Sequence, residues 1–181
     1  MDKRLERILP RVQKPARYVG GEYNAVKKDP ARVDTRIAFC FPDTYEIGMS
    51  NLGMRILYGV MNGMDGVWCE RVFAPWGDME QAMRDNALPL WALESQTPVR
   101  EFDMIAFTIG YEMAYSNILN MLNLAGVPLR SKDRRGLKNI VFAGGVCAFN
   151  PEPLADFIDF FSLGEGEDIT CLLYTSPSPR D

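Results

Sequence analysis

Short, continuously apolar runs that alternate with amphipathic stretches constrain this chain more than any other feature of its sequence. The first run, Ile37-Ala38-Phe39-Cys40-Phe41, has no polar alternation, as expected of a strand covered on both faces, and it stops at Pro42-Asp43. Met104 to Thr108 and Asn139 to Ala143 repeat the pattern, and Phe157 to Leu163 ends the series in Gly164-Glu165-Gly166-Glu167. Val67 to Val72 and Leu88 to Leu93 are two further strand candidates. Between them the apolar spacing turns helical. One helix, with Ser50 as its cap, carries Met54, Leu57, Tyr58 and Met61 on one face and stops at Gly63. A second, opened by an Asp78/Gln81 capping box, carries Met79, Ala82 and Met83. A third runs from Tyr115 through Ile118, Leu119 and Leu122 to Gly126, with Pro128 beyond. Buried strand followed by amphipathic helix, repeated over short linkers, predicts an α/β fold: an open, mainly parallel, Rossmann-like or flavodoxin-like sheet with helices on both faces.

Ahead of that series, residues 1–34 show little periodicity beyond a short helix around Leu5 to Leu9, and Pro10, Pro15, Gly20, Gly21 and Pro30 interrupt them. They read as an extended leader, and residues 35–168 as one domain. Residues 1–36 hold ten of the twenty Lys and Arg side chains against five acids, so a basic arm of +5 precedes a body of -9 in a chain of net charge -4. Such an arm suits either a solvated leader or contact with nucleic acid through residues 1–36. No uncharged run approaches the ~18 apolar residues of a membrane-spanning helix, and nothing at the N-terminus resembles a secretion signal, which makes the cytoplasm the expected location.

The chain contains no histidine, which removes imidazole as a metal ligand and as a general base. Cys40, Cys69, Cys147 and Cys171 are far apart, with no C-x-x-C and no C-x-x-x-C-x-x-C, so neither zinc nor an iron–sulfur cluster has local ligands. Reduced thiols in apolar surroundings are the expectation. The acid pairs Glu165/Glu167 and Asp156/Asp159 read as solvated or capping groups, and no catalytic residue is assigned.

Open parallel sheets bind ligands beyond the carboxyl ends of their strands, so three loops hold the candidate site. Asp43, Tyr45 and Gly48 follow the first strand. Thr108 and Gly110 end a middle one. Gly144 and Gly145 follow the next, where paired glycines let either a flat ligand or a phosphate approach the backbone, or simply make a turn. Together the loops predict a planar, extended surface along one sheet edge. No G-x-G-x-x-G follows any strand and no G-x-x-x-x-G-K-[ST] occurs, which leaves the dinucleotide and P-loop readings without their main support.

Asp43-x-Tyr45-x-x-Gly48, Thr108-x-Gly110 and Gly144-Gly145 resemble the D-x-H-x-x-G, S-x-L and G-G series of cobalamin-binding domains, with Tyr45 in place of the cobalt-ligating histidine. A longer set of motifs joins them: Glu6-Arg7-Ile8-Leu9-Pro10, Arg17-Tyr18-Val19-Gly20-Gly21-Glu22-Tyr23-Asn24, Phe41-Pro42-Asp43-x-Tyr45-Glu46-Ile47-Gly48-Met49-Ser50, Arg71-Val72-Phe73-Ala74-Pro75-Trp76, and Ala148-Phe149-Asn150-Pro151-Glu152-Pro153. From about Glu6 to Asp168 the chain resembles the N-terminal, cobalamin-binding-type region of a bacterial family of radical S-adenosylmethionine (SAM) proteins.

The resemblance implies an accessory domain. Cobalamin, if held, would be base-off with no histidine ligand, lined by Gly48, Thr108, Gly110, Gly144 and Gly145, with Asp43 and Tyr45 beneath the cobalt. The [4Fe-4S] cluster and S-adenosylmethionine would belong to a C-terminal core absent from this chain, and the implied partners are that core and an unidentified substrate. Two alternatives stay open: a cofactor-free docking or substrate-recruiting module of the same fold, and an RNA-contacting module using the basic leader. Residues 169–181, with Pro177 and Pro179 among hydroxyl residues, break the helical expectation and read as a tail foreign to the domain.

Overall fold

Five strands form one parallel sheet in the order β2-β1-β3-β4-β5, in a computed structural model that describes residues 2–134 and 138–166. They are β1 (Thr35–Phe41), β2 (Val67–Phe73), β3 (Met104–Thr108), β4 (Ile140–Gly144) and β5 (Phe160–Phe161). Every pairing is parallel, with Ile37 opposite both Cys69 and Met104, and Ala106 opposite Phe142. The helices are α1 (Lys3–Ile8), α2 (Tyr45–Ser50), α3 (Leu52–Asn62), α4 (Gly77–Asp85) and α5 (Tyr115–Ala125). This is the flavodoxin-like order expected from the alternating pattern, and its switch point lies between β1 and β3.

Two apolar clusters flank the sheet. Met54, Tyr58 and Met61 of α3 pack on Ile37, Phe39 and Cys69, while Met79 and Met83 of α4 and Ile118 and Leu122 of α5 pack on Ala38, Cys40 and Ile105 from the other side. Strand residues of alternate parity therefore feed opposite layers, which is why the runs carry no polar alternation. Cys40 and Cys69 are buried, Cys147 is half-buried, and all three are free thiols.

Several local expectations need correction. The α3 cap is Asn51, whose side chain accepts from Met54 N at 2.8 Å, one residue beyond Ser50. Asp78 makes no capping box with Gln81: it lies inside α4, and its carboxylate accepts Gln13 N at 2.6 Å from the leader. Leu88–Leu93 is not a strand of the sheet, making only an isolated bridge between Trp91 and Pro98. Its apolar side chains are buried mostly in the α4/α5 layer, where Leu90 N donates to Leu124 O at 3.0 Å, and it reaches β2 at Leu93, whose N donates to Arg71 O at 2.9 Å. Only Phe160 and Phe161 of the 157–163 run pair with β4.

The leader is folded where an extended arm was expected. Leu5, Ile8 and Tyr18 are buried in the α4/α5 layer, because amphipathic α1 presents Leu5 and Ile8 to the core. Its charges are partly consumed internally: Arg4 pairs with Asp2, Lys14 and Arg17 with Glu46, Arg36 with Glu70, and Lys28 Nζ donates to the carbonyls of Asn62, Met64 and Val67. Among the described residues no helix is long and apolar enough to cross a membrane. The tail 169–181, with Cys171, and the residues Glu167 and Asp168 lie outside the described residues.

Candidate functional site

The loops after β1, β3 and β4 meet at one edge of the sheet. Asp43 follows β1 directly, and its two carboxylate oxygens take different partners: Oδ1 accepts Thr44 N at 2.7 Å, and Oδ2 accepts the Tyr111 hydroxyl at 2.8 Å. That second bond crosses the β1/β3 switch point and ties the two loops together; accepting from Tyr111 raises the tyrosine's pKa, since a nearby carboxylate opposes phenolate formation. Asn117 of α5 donates to Pro42 O at 2.9 Å and holds the β1 loop from below. Tyr111, in the loop after Thr108, and Asn117, on the polar face of the α5 sequence, are not assignable to the site from sequence, because each contacts a residue about seventy positions away.

The glycines divide into two kinds. A methyl group on Gly48 would stand 2.2 Å from the Phe73 ring, and one on Gly145 (φ 101°) would stand 2.8 Å from Ile109 O. Both positions therefore exclude a side chain, although Gly48 is buried and Gly145 is exposed. The Gly145 turn is further bound by Ile109 N to Gly144 O at 2.8 Å and Cys147 N to Ile109 O at 3.1 Å, which makes the β3 and β4 loops one unit. Gly110, by contrast, has open space where a side chain would be, and Gly144 makes only ordinary contact with Ser162. Thr108 is half-buried beside Gly144 in register.

Tyr45 does not join that group. Its ring packs edge-on against Phe73 of β2, with centroids 5.4 Å apart, on the far side of β1 from β3. Burial, followed by the charge of Glu22, pushes its hydroxyl above the ordinary tyrosine value. The leader covers this half of the edge as a strap: Lys14 and Arg17 pair with Glu46, the Arg17 guanidinium stands 5.6 Å from the Trp76 ring centroid, and Trp76 N donates to the Tyr18 hydroxyl at 3.2 Å. The edge is thus strapped over β1 and β2 and open over β3 to β5.

Over that open half, Tyr115 Oη is the one buried side-chain polar atom without a hydrogen-bond partner among the described residues. Burial, with the charges of Cys147 and Glu112 behind it, raises its pKa, and burial likewise raises the Cys147 thiol, so neither is an activated nucleophile. Asp156 and Asp159 are ion-paired to Arg130 and Arg134. No three His, Cys, Asp or Glu side chains gather to hold a metal among the described residues, and no donor set fits an iron–sulfur cluster. For a corrinoid laid on the edge, Gly48 offers no cradle, being buried against Phe73 and Phe41, whereas Gly145 is exposed.

Comparison with known proteins places this architecture. Residues 53–176 match the family model described as radical SAM proteins, N-terminal, which is more than half of the chain. The chain belongs to that family. It is also 27% identical over 138 residues to the uncharacterized protein MJ0966 of Methanocaldococcus jannaschii, an alignment covering 74% of this chain and 25% of that protein. The chain therefore spans about a quarter of the length of this relative.

Proposed function

We propose that this chain is the accessory module of a radical SAM protein and that it works without a cofactor of its own, docking against the catalytic core and recruiting substrate at the strand-end edge of its sheet. The observation that carries the cofactor-free reading is the burial of Gly48 against Phe73 and Phe41, which leaves that glycine no open face toward a macrocycle. Tyr45 adds to it, being engaged with Phe73 on the strapped half of the edge and so unavailable beneath a cobalt over β3 and β4. What the module contributes is placement. Rigid strands fix the loops, the Tyr111 to Asp43 bond fixes their spacing, and a substrate held there is oriented toward a core that supplies the chemistry.

Hydroxocobalamin added in excess to the purified chain, followed by gel filtration, tests the reading. The expected result is no corrinoid absorbance eluting with the protein. A co-eluting corrinoid spectrum that is lost in Gly110→Leu would overturn it in favour of a cobalamin-holding accessory domain.

A further inference from the structure

Seven of the eleven exposed large apolar side chains among the described residues sit on segments that leave the carboxyl ends of strands: Ile47, Trp76, Tyr111, Met113, Val146, Phe149 and Leu163. The last five belong to β3, β4 and β5, which are neighbours in the sheet, and their exposure is high: Tyr111 43%, Met113 83%, Val146 77%, Phe149 71% and Leu163 52%. Scattered surface hydrophobes need no explanation, but a group brought together on adjacent loops marks a place where water is to be excluded by something else. The loops are also stiffened into one surface by the Ile109, Gly144 and Cys147 backbone bonds, so a partner need not order them.

On the same loops Glu112, Glu152 and Glu165 are exposed, and none makes an ion pair within the described residues, whereas Glu46 on the strapped half is held by Lys14 and Arg17. We infer that the exposed apolar side chains on the loops after β3, β4 and β5, together with Glu112, Glu152 and Glu165 on the same loops, form the surface on which the radical SAM core of the parent protein docks through an apolar face bearing Lys and Arg. The inference rests on the accessory-module reading and gives it a location and a partner chemistry. A second copy of this chain is disfavoured by the same three glutamates, since a two-fold contact through these loops would bring acidic groups together. The β1/β2 half of the edge is already covered by residues 13–18, and the relative is about four times as long as the matched region, which leaves ample chain to supply the partner.

Hydrogen exchange of the full-length parent protein, compared with the 181-residue chain alone, tests this. Amides of 110–114 and 146–150 should exchange about tenfold or more slowly in the parent, with the strap unchanged, and Glu112→Lys/Glu152→Lys/Glu165→Lys should remove that protection while leaving the thermal midpoint of the isolated chain in place. Equal exchange in both proteins overturns the inference, as does protection that survives the triple reversal, or a dimer of the isolated chain that Phe149→Glu dissolves. Protection that appears only when hydroxocobalamin is added overturns the cofactor-free reading as well, so the two failures are told apart.

Discussion

A single absent methyl group at residue 48 determines how α2 sits on the sheet. Gly48 is buried against Phe73 and Phe41, and any side chain there meets the Phe73 ring inside van der Waals distance. Gly48→Ala should therefore destabilise the fold by about 1–3 kcal/mol, read as a lower urea midpoint with unchanged slope, because an aromatic ring in a packed layer moves only by forcing its neighbours off their rotamers. The sequence made Gly48 a candidate ligand position for its place in a motif. Its packing role depends on Phe73, whose proximity no local spacing reveals. Asp43 is the opposite case: its place at a strand mouth was legible, and the structure adds the partner, Tyr111.

Among the elements, β2 is the longer of the two edge strands and so presents the longer open ladder to another chain. Its outward backbone groups are covered one after another: Lys28 Nζ reaches Val67 O, the Asn62 side chain takes both Cys69 N and O, and Arg71 N donates to Glu94 at 2.7 Å. Such coverage keeps an edge from pairing with another chain. Glu94 also forms an ion pair with the Arg71 guanidinium at 2.6 Å, and burial pushes its carboxyl above the ordinary value despite that partner. Glu94→Ala would strip both contacts and leave Arg71 with Glu22, an expected loss of about 3 kcal/mol in chemical unfolding together with greater aggregation on refolding. The run 88–93 was expected to be a strand of the sheet because it is apolar. It is buried mostly against the α4/α5 layer and reaches β2 at Leu93, and an apolar run alone does not distinguish the two.

At the scale of the molecule, the strap couples the leader to the sheet edge through ionisable groups. Arg17 first, then the residue's own backbone amide and Lys14, hold the Glu46 carboxyl at about 2, below its ordinary 4.5. A depressed carboxylate contributes to holding the strap above the free value and ceases to as pH falls through the depressed one, so the strap should loosen between about 4.5 and 2. Trp76 is the exposed tryptophan and lies beside Arg17, while Trp68 and Trp91 are buried, so its emission reports the change. The transition should be present in the native chain and flattened in Glu46→Gln, whose strap is already loose at neutral pH. Loosening of the strap exposes the Tyr45 half of the edge without disturbing β3 to β5.

The sequence by itself determined the α/β class, the parallel sheet, four of the five strands nearly to their ends, the α5 stop at Gly126 and the sheet edge on which to look. These follow from local physics: continuous apolar runs need cover on two faces, and glycine ends a helix in a conformation other residues resist. Tertiary structure alone decided which candidate residues share a place. Phe73 and Ile109 fill the space beside Gly48 and Gly145, the leader folds back as a buried strap, and the apolar side chains of three separate loops gather over β3, β4 and β5. Those outcomes depend on strand order, which sets distant loops side by side, and strand order is a property of the whole sheet that no segment encodes alone.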